Sequence, residues 1–137
     1  MKIFNGSLIH KDYTYLYNKR IILNLINSSQ IQPSSVDLTL SKECYEIYAS
    51  FLSSTNNVRD NLKKIIKKKI NLNTKFTFKK NKTYLVKLNE SLNLPDNIFG
   101  ICNPKSSTGR LDIFCRTILD FSDEYEKVPM NYKGKCS

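Results

Sequence analysis

With 137 residues, 40% of them hydrophobic and 25% charged, the chain suits one domain with a modest core and is too apolar for a disordered segment. Its net charge of +10 leaves polyanions, such as nucleic acid or a nucleotide triphosphate, as candidate partners. No apolar run approaches the ~20 residues of a membrane span, and the opening MKIFNGSLIHKDYTY has neither a long apolar core nor a small-residue cleavage site, so a soluble cytoplasmic protein is expected.

Residues 1–15 show no clear period. Between Asn18 and Ile26, apolar residues at 21, 22, 25 and 26 recur at spacings of three and four, which predicts one amphipathic helix ended by Asn27-Ser28-Ser29. Pro33 holds residues 30–35 extended. Val36 to Leu40 alternates apolar with polar, as a half-buried strand does, and Cys44 to Phe51 repeats the pattern with aromatic residues. Residues 56–70 are polar and basic. There Leu62, Ile65, Ile66 and Ile70 could line a helix, an excursion from the sheet. Residues 75–78 and 83–87 read as strands, 90–95 as a connection, 98–102 as a strand and 103–110 as a polar turn. Leu111 to Leu119 is strand-like, 120–127 an acidic loop, and 131–137 the approach to a further strand. Short strands punctuated by turns predict a mainly all-β sandwich or barrel.

Much of the positive charge lies in two runs, 62–70 and 78–82. No aromatic stacking platform interleaves with these lysines in the sequence, which argues against a single-strand binder and for a solvated face. The four cysteines, Cys44, Cys102, Cys115 and Cys136, form no Cys-x-x-Cys pair, and His10 is the sole histidine. The ligand spacing of the zinc-dependent nucleobase deaminases is therefore absent, and the cysteines read as reduced thiols.

The segment that carries chemistry is Pro104-Lys105-Ser106-Ser107-Thr108-Gly109-Arg110. Lys105 and Arg110 can meet phosphate oxygens, Arg110 with a planar fork. Hydroxyls and turn amides can complete an anion cradle. Alone this is a common loop composition, but Gln32-Pro33-Ser34-Ser35-Val36-Asp37-Leu38-Thr39-Leu40 lies upstream. That stretch resembles the Pro-Ser/Ala-Ser-hydrophobic-Asp-Leu-Arg-Leu signature of dCTP deaminases, and Lys105 to Leu111 resembles their Arg/Lys-Ser-Ser-x-x-Arg motif. Between them, Tyr84-Leu85-Val86 and Glu90-Ser91-Leu92-Asn93-Leu94-Pro95 resemble the family's strand and its E-x-L-x-L-P turn. Asn103-Pro104-Lys105 and Leu111-Asp112 are similar to the long two-domain form of alphaproteobacterial type.

The resemblance implies a dUTPase-like distorted β-barrel or jelly roll with a short N-terminal helix. It makes 1–137 a single domain, C-terminally incomplete. It implies zinc-independent hydrolytic deamination of dCTP to dUTP. Ser106 would help hold the attacking water, and Arg110 would support the reacting centre. Lys105 and Ser107 would stand near the phosphates, and Thr108 and Gly109 belong to the same substrate-binding segment. Mg²⁺ would arrive with the triphosphate, and the full-length form would be a homotrimer. The general-base glutamate is expected beyond Ser137. Two departures stand out: Thr39 replaces the signature's arginine, and Pro129 replaces an aspartate of the one-domain form. Alternatives are a dUTP diphosphatase, a non-catalytic nucleotide-binding or oligomer-forming fragment, and a basic nucleic-acid module.

Overall fold

The computed structural model describes residues 6–137. The expectation of no leader peptide rests in part on residues 1–5, outside the described residues. The fold is mainly β. Its strands form antiparallel sheets, interrupted by short helices.

The first helix, α1, spans His10–Asn18, not 18–26. Asp12 Oδ2 accepts the Ile9 N–H at 2.9 Å, tying down the first turn. At the far end Arg20 takes φ 56°, with Arg20 N donating to the Tyr17 carbonyl and Ile21 N to that of Leu16. This is a Schellman closure built on a non-glycine residue, and it stops the helix before the isoleucines begin. Ile22 and Leu23 instead form β1 (Ile22–Leu23), paired with Leu92 and Ser91. Spacings of three and four in a run this dense in β-branched residues fit a buried strand equally well.

The larger sheet has the order β3-β2-β4, with β2 at Leu40–Ile47, β3 at Ile66–Asn71 and β4 at Thr83–Leu88. Helix α2 (Val58–Ile65) leads into β3, so the expected helix face through Ile70 breaks at Ile66. Asn57 Oδ1 caps α2 by accepting the Asp60 N–H at 2.9 Å. Its buried face, Val58 and Leu62, packs with Tyr45, Ile47, Leu85 and Ile118 into the first apolar cluster. The Val36–Leu40 strand does not form. Val36 makes one bridge to Ile31 and β2 starts only at Leu40. Residues 75–78 are not a strand either. A turn over 72–74, fixed by Asn71 Oδ1 accepting from Asn73 N and Thr74 Oγ1 donating to the Asn71 carbonyl, lifts the chain off the sheet edge.

A second sheet has the order β1-β5-β8, with β5 at Ser91–Asn93 and β8 at Lys133–Lys135. The expected connection at 90–95 thus supplies the sheet's central strand. Strands β6 (Gly100–Ile101) and β7 (Lys127–Val128) form a two-stranded ribbon. Leu94, Leu119, Val128, Tyr132 and Cys136 close a second cluster. Gly134 is required here, because a Cβ would lie 2.9 Å from the Tyr132 hydroxyl and 3.1 Å from its ring. The strand expected at 111–119 is reduced to one bridge, Leu119 to Cys136. Asp112 takes φ 54°, and among the described residues no strand runs beside 111–117 to complete a ladder.

Candidate functional site

Residues Ser106–Gly109 form a single helical turn, α3, within the expected polar turn at 103–110. Thr108 N donates to the Lys105 carbonyl at 2.9 Å and Arg110 N to that of Ser106 at 3.1 Å. Leu111 N and Ile113 N both return to the Thr108 carbonyl. Backbone bonding thus leaves the side chains to point outward. Among the described residues, those of Ser106, Ser107, Thr108 and Arg110 have no hydrogen bond or ion pair with the rest of the chain, and all but Thr108 are exposed. Gly109 has ordinary helical geometry, with open space around an added Cβ, so the turn itself does not demand glycine.

Lys105 is the exception. Its Nζ lies 2.6 Å from Asp37 Oδ2, so the two signature segments meet in space. Gln32 Nε2 reaches the same oxygen at 3.4 Å. Asp37 is held by what lies beneath it. Glu90, 1% exposed, accepts from Gln30 Nε2 at 2.6 Å, from Thr39 Oγ1 at 2.7 Å and from Thr39 N at 2.9 Å. Gln30 Nε2 also donates to the Asp37 carbonyl at 2.8 Å, and Gln30 Oε1 accepts from Ile26 N and Asn27 N. A buried carboxylate with three donors is tolerable only when each is aimed at it. The Gln30–Thr39–Glu90 node therefore fixes the path of residues 30–39 without a sheet ladder. Thr39, where the signature carries arginine, meets Glu90 with a hydroxyl and an amide in place of a cation.

Sequence reasoning missed Gln30 and Glu90. A signal was available for Glu90: a lone acid between two apolar strands has to be buried with partners or break the sheet.

Three of the other carboxylates near the site in sequence are engaged elsewhere. Asp120 Oδ1 accepts the Val58 N–H at 2.6 Å, Glu124 pairs with Lys127, and Glu126 with Arg116. Asp112 lies just past Arg110 on the left-handed residue of its turn. Two hollows, of about 210 and 410 Å³, lie around Glu43 and Lys87 and include no residue of 105–110. There the Tyr45 hydroxyl, and then Lys87 and Arg59, hold the Glu43 carboxyl below its ordinary range. Among the described residues no three His, Cys, Asp or Glu side chains gather as metal ligands.

The turn at 128–134 that carries Pro129 is closed by Asn131, at φ 61°, with its N–H on the Pro95 carbonyl. Pro129 is exposed. Behind it the Tyr132 hydroxyl donates to the Lys135 carbonyl at 2.6 Å. Burial pushes the Cys136 thiol up to about 12 and raises the Tyr132 phenol well above its usual value. All four cysteines are free, with Cys44 and Cys136 buried and Cys115 exposed.

On this arrangement, α3 can present two serine hydroxyls and a guanidinium to a ligand, with Lys105 anchored beside them. Residues 5–136 match the family described as the 2'-deoxycytidine 5'-triphosphate deaminase N-terminal domain. The crystal structure of 2'-deoxycytidine 5'-triphosphate deaminase from Agrobacterium tumefaciens is similar, with 34% identity and a TM-score of 0.90 over 96% of this chain and 40% of that one. The chain thus spans well under half the length of that structure. No curated protein matches. No helix among the described residues is long and apolar enough to cross a membrane.

Proposed function

The chain belongs to the 2'-deoxycytidine 5'-triphosphate deaminase N-terminal-domain family, and on that premise we propose that it provides the nucleotide-facing half of a zinc-independent dCTP deaminase. The observation that carries the reading is the Lys105–Asp37 contact, which joins the two signature segments at one place. Ser106 would orient the attacking water, and Arg110 would stabilise charge developing at the pyrimidine. Lys105 and Ser107 would meet phosphate oxygens, with Mg²⁺ carried in by the triphosphate.

Hydrolytic deamination needs a carboxylate that takes a proton from water and returns it to the leaving amine. Asp37, Asp120, Glu124 and Glu126 are each held in another contact. Lysine and arginine stay protonated near neutral pH, and a serine hydroxyl needs its own base. The family resemblance implies that the base is a glutamate from outside these 137 residues. An active site completed between copies of a homotrimer is supported by the exposed Phe99, Ile101, Leu111 and Phe114 on either side of α3 in the chain.

The test is ammonia release from dCTP by residues 1–137 and by a chain extended through a glutamate-bearing strand. The short chain is expected to lack turnover and the long one to show it, since acid–base transfer contributes about 10²–10⁴-fold. Arg110→Ala in the long chain should abolish most of that rate. Robust turnover by the short chain would show that the base lies within it. An active long chain indifferent to Arg110→Ala would remove α3 from the site.

A further inference from the structure

The charge of this chain is not spread over it. Residues 62–82 contain nine lysines and no acid, against a net charge of +10 for the whole. Edge protection explains Lys67, Lys68 and Lys69, which lie on the edge strand β3. It does not explain Lys79, Lys80 and Lys82, which enter from the opposite side, ahead of β4. The two sets converge. Glu46, on the central strand, is 3.2 Å from Lys67 Nζ and 3.9 Å from Lys82 Nζ. One carboxylate thus answers two ammonium groups. Lys63 pairs with Asp60, while among the described residues Lys64, Lys68, Lys69, Lys75, Lys79 and Lys80 have no ion pair.

Aromatic rings stand among these lysines: Phe76, Phe78 and Tyr84 alternate with Lys75, Lys79, Lys80 and Lys82 along the chain, and the fold adds Tyr48. Tyr84 is the cross-strand partner of Glu46. Its ring stands edge-on to Phe78 at 4.9 Å and to Phe76 at 5.8 Å, and its hydroxyl accepts the Lys79 N–H. Phe78 is 44% exposed. On the other flank Tyr48, 73% exposed, lies under Lys67 Nζ at 5.8 Å from its ring centre. Rings that accept stacked bases, set in a cationic field that follows a phosphate backbone, are what sequence-tolerant single-strand binding requires.

We infer that the lysine-lined face of β3-β2-β4, with Tyr48 and Phe78 as stacking residues, binds single-stranded nucleic acid. This reverses the expectation drawn from the lysine runs alone. A bilayer surface is the weaker occupant, because the apolar side of α2 is buried against Tyr45 and Leu85, so this helix keeps no apolar face to enter lipid. Among the described residues this face shares no ion pair with Lys105, so its occupancy does not depend on the deaminase reading.

The test is fluorescence anisotropy of a labelled oligothymidylate of about 20 nucleotides, compared with a duplex of equal length, as salt rises from about 50 to 200 mM. Single-strand binding is expected to be tighter, with a log–log salt slope of about −3 if four to five lysines meet phosphates. Tyr48→Ala with Phe78→Ala should weaken single-strand binding about tenfold and leave duplex binding within about twofold. Lys79→Glu with Lys80→Glu should weaken both at least about tenfold, while Lys11→Glu with Lys133→Glu, an equal change in net charge, shifts them less than about threefold. Circular dichroism identifies any variant that fails to fold, and Tyr48→Ala alone, at a highly exposed position, then stands in for the aromatic pair. Equal losses from the two charge-reversal pairs, indifference to the aromatic substitutions, or stronger binding to phosphatidylserine vesicles than to the oligonucleotide would each overturn the inference.

Discussion

Lys105 Nζ and Asp37 Oδ2 stand 2.6 Å apart although 68 positions separate them in the chain. With Lys105 67% exposed, the pair is a surface contact that holds position more than it holds the fold together. A double-mutant cycle of Lys105→Met and Asp37→Asn, read by urea unfolding, should give a coupling of about 0–1 kcal/mol. A coupling above about 2 kcal/mol would make the pair a structural strut.

Glu90 is the opposite case. Glu90→Gln puts an amide NH₂ where one of three donors now finds an acceptor, at a residue 1% exposed. The expected loss is about 2–4 kcal/mol in unfolding free energy. Thr39→Val removes only the hydroxyl, which serves Glu90 and also accepts from Asn89 Nδ2, and should cost about 1–2 kcal/mol. If Glu90→Gln left the urea midpoint unchanged, the node would not be holding residues 30–39.

The two glycines of the functional segments should behave differently. Gly134→Ala drives a methyl against the Tyr132 ring and should cost about 1–3 kcal/mol. Gly109→Ala meets open space in a helical turn and should be neutral or stabilising by up to about 1 kcal/mol. If Gly109→Ala nonetheless blocks dCTP turnover in the extended chain, something outside this chain packs against that face.

The buried thiol gives stability an alkaline limb. Cys136 ionises near its ordinary 9.0 when unfolded but only at about 12 when folded. Between these values the unfolded state binds fewer protons than the native one, so stability is full below about pH 9 and falls as pH rises toward 12. Cys136→Ala should flatten this part of the pH profile of thermal unfolding. Under native conditions Cys115 should be alkylated first, with Cys44 and Cys136 protected until the chain unfolds.

What the sequence made legible of the candidate site is its local part. The serines of α3 and the flanking Lys105 and Arg110 sit within six consecutive residues, and 83–87 has a strand's composition. What escaped was non-local. Residues 21–26 satisfy helix and strand spacings alike, and the decision falls to Leu92 and Ser91, which pair with Ile22 and Leu23. Leu111 to Leu119 has a strand's composition but lacks a neighbour, so composition misled. The convergence of Lys67 and Lys82 on Glu46 depends on which strands flank β2, a matter of topology that no run of lysines announces.

Ile118 and Ser137 exchange both of their backbone hydrogen bonds, N to O at 2.8 and 3.1 Å. An amide outside a sheet ladder ordinarily exchanges with solvent quickly. Here the Ser137 amide is locked into a closed ring of chain that takes in β7, β8 and the Tyr132 turn. Deuterium should therefore enter Ser137 about as slowly as it enters the second core, and opening of that ring should register at residues 118 and 137 together.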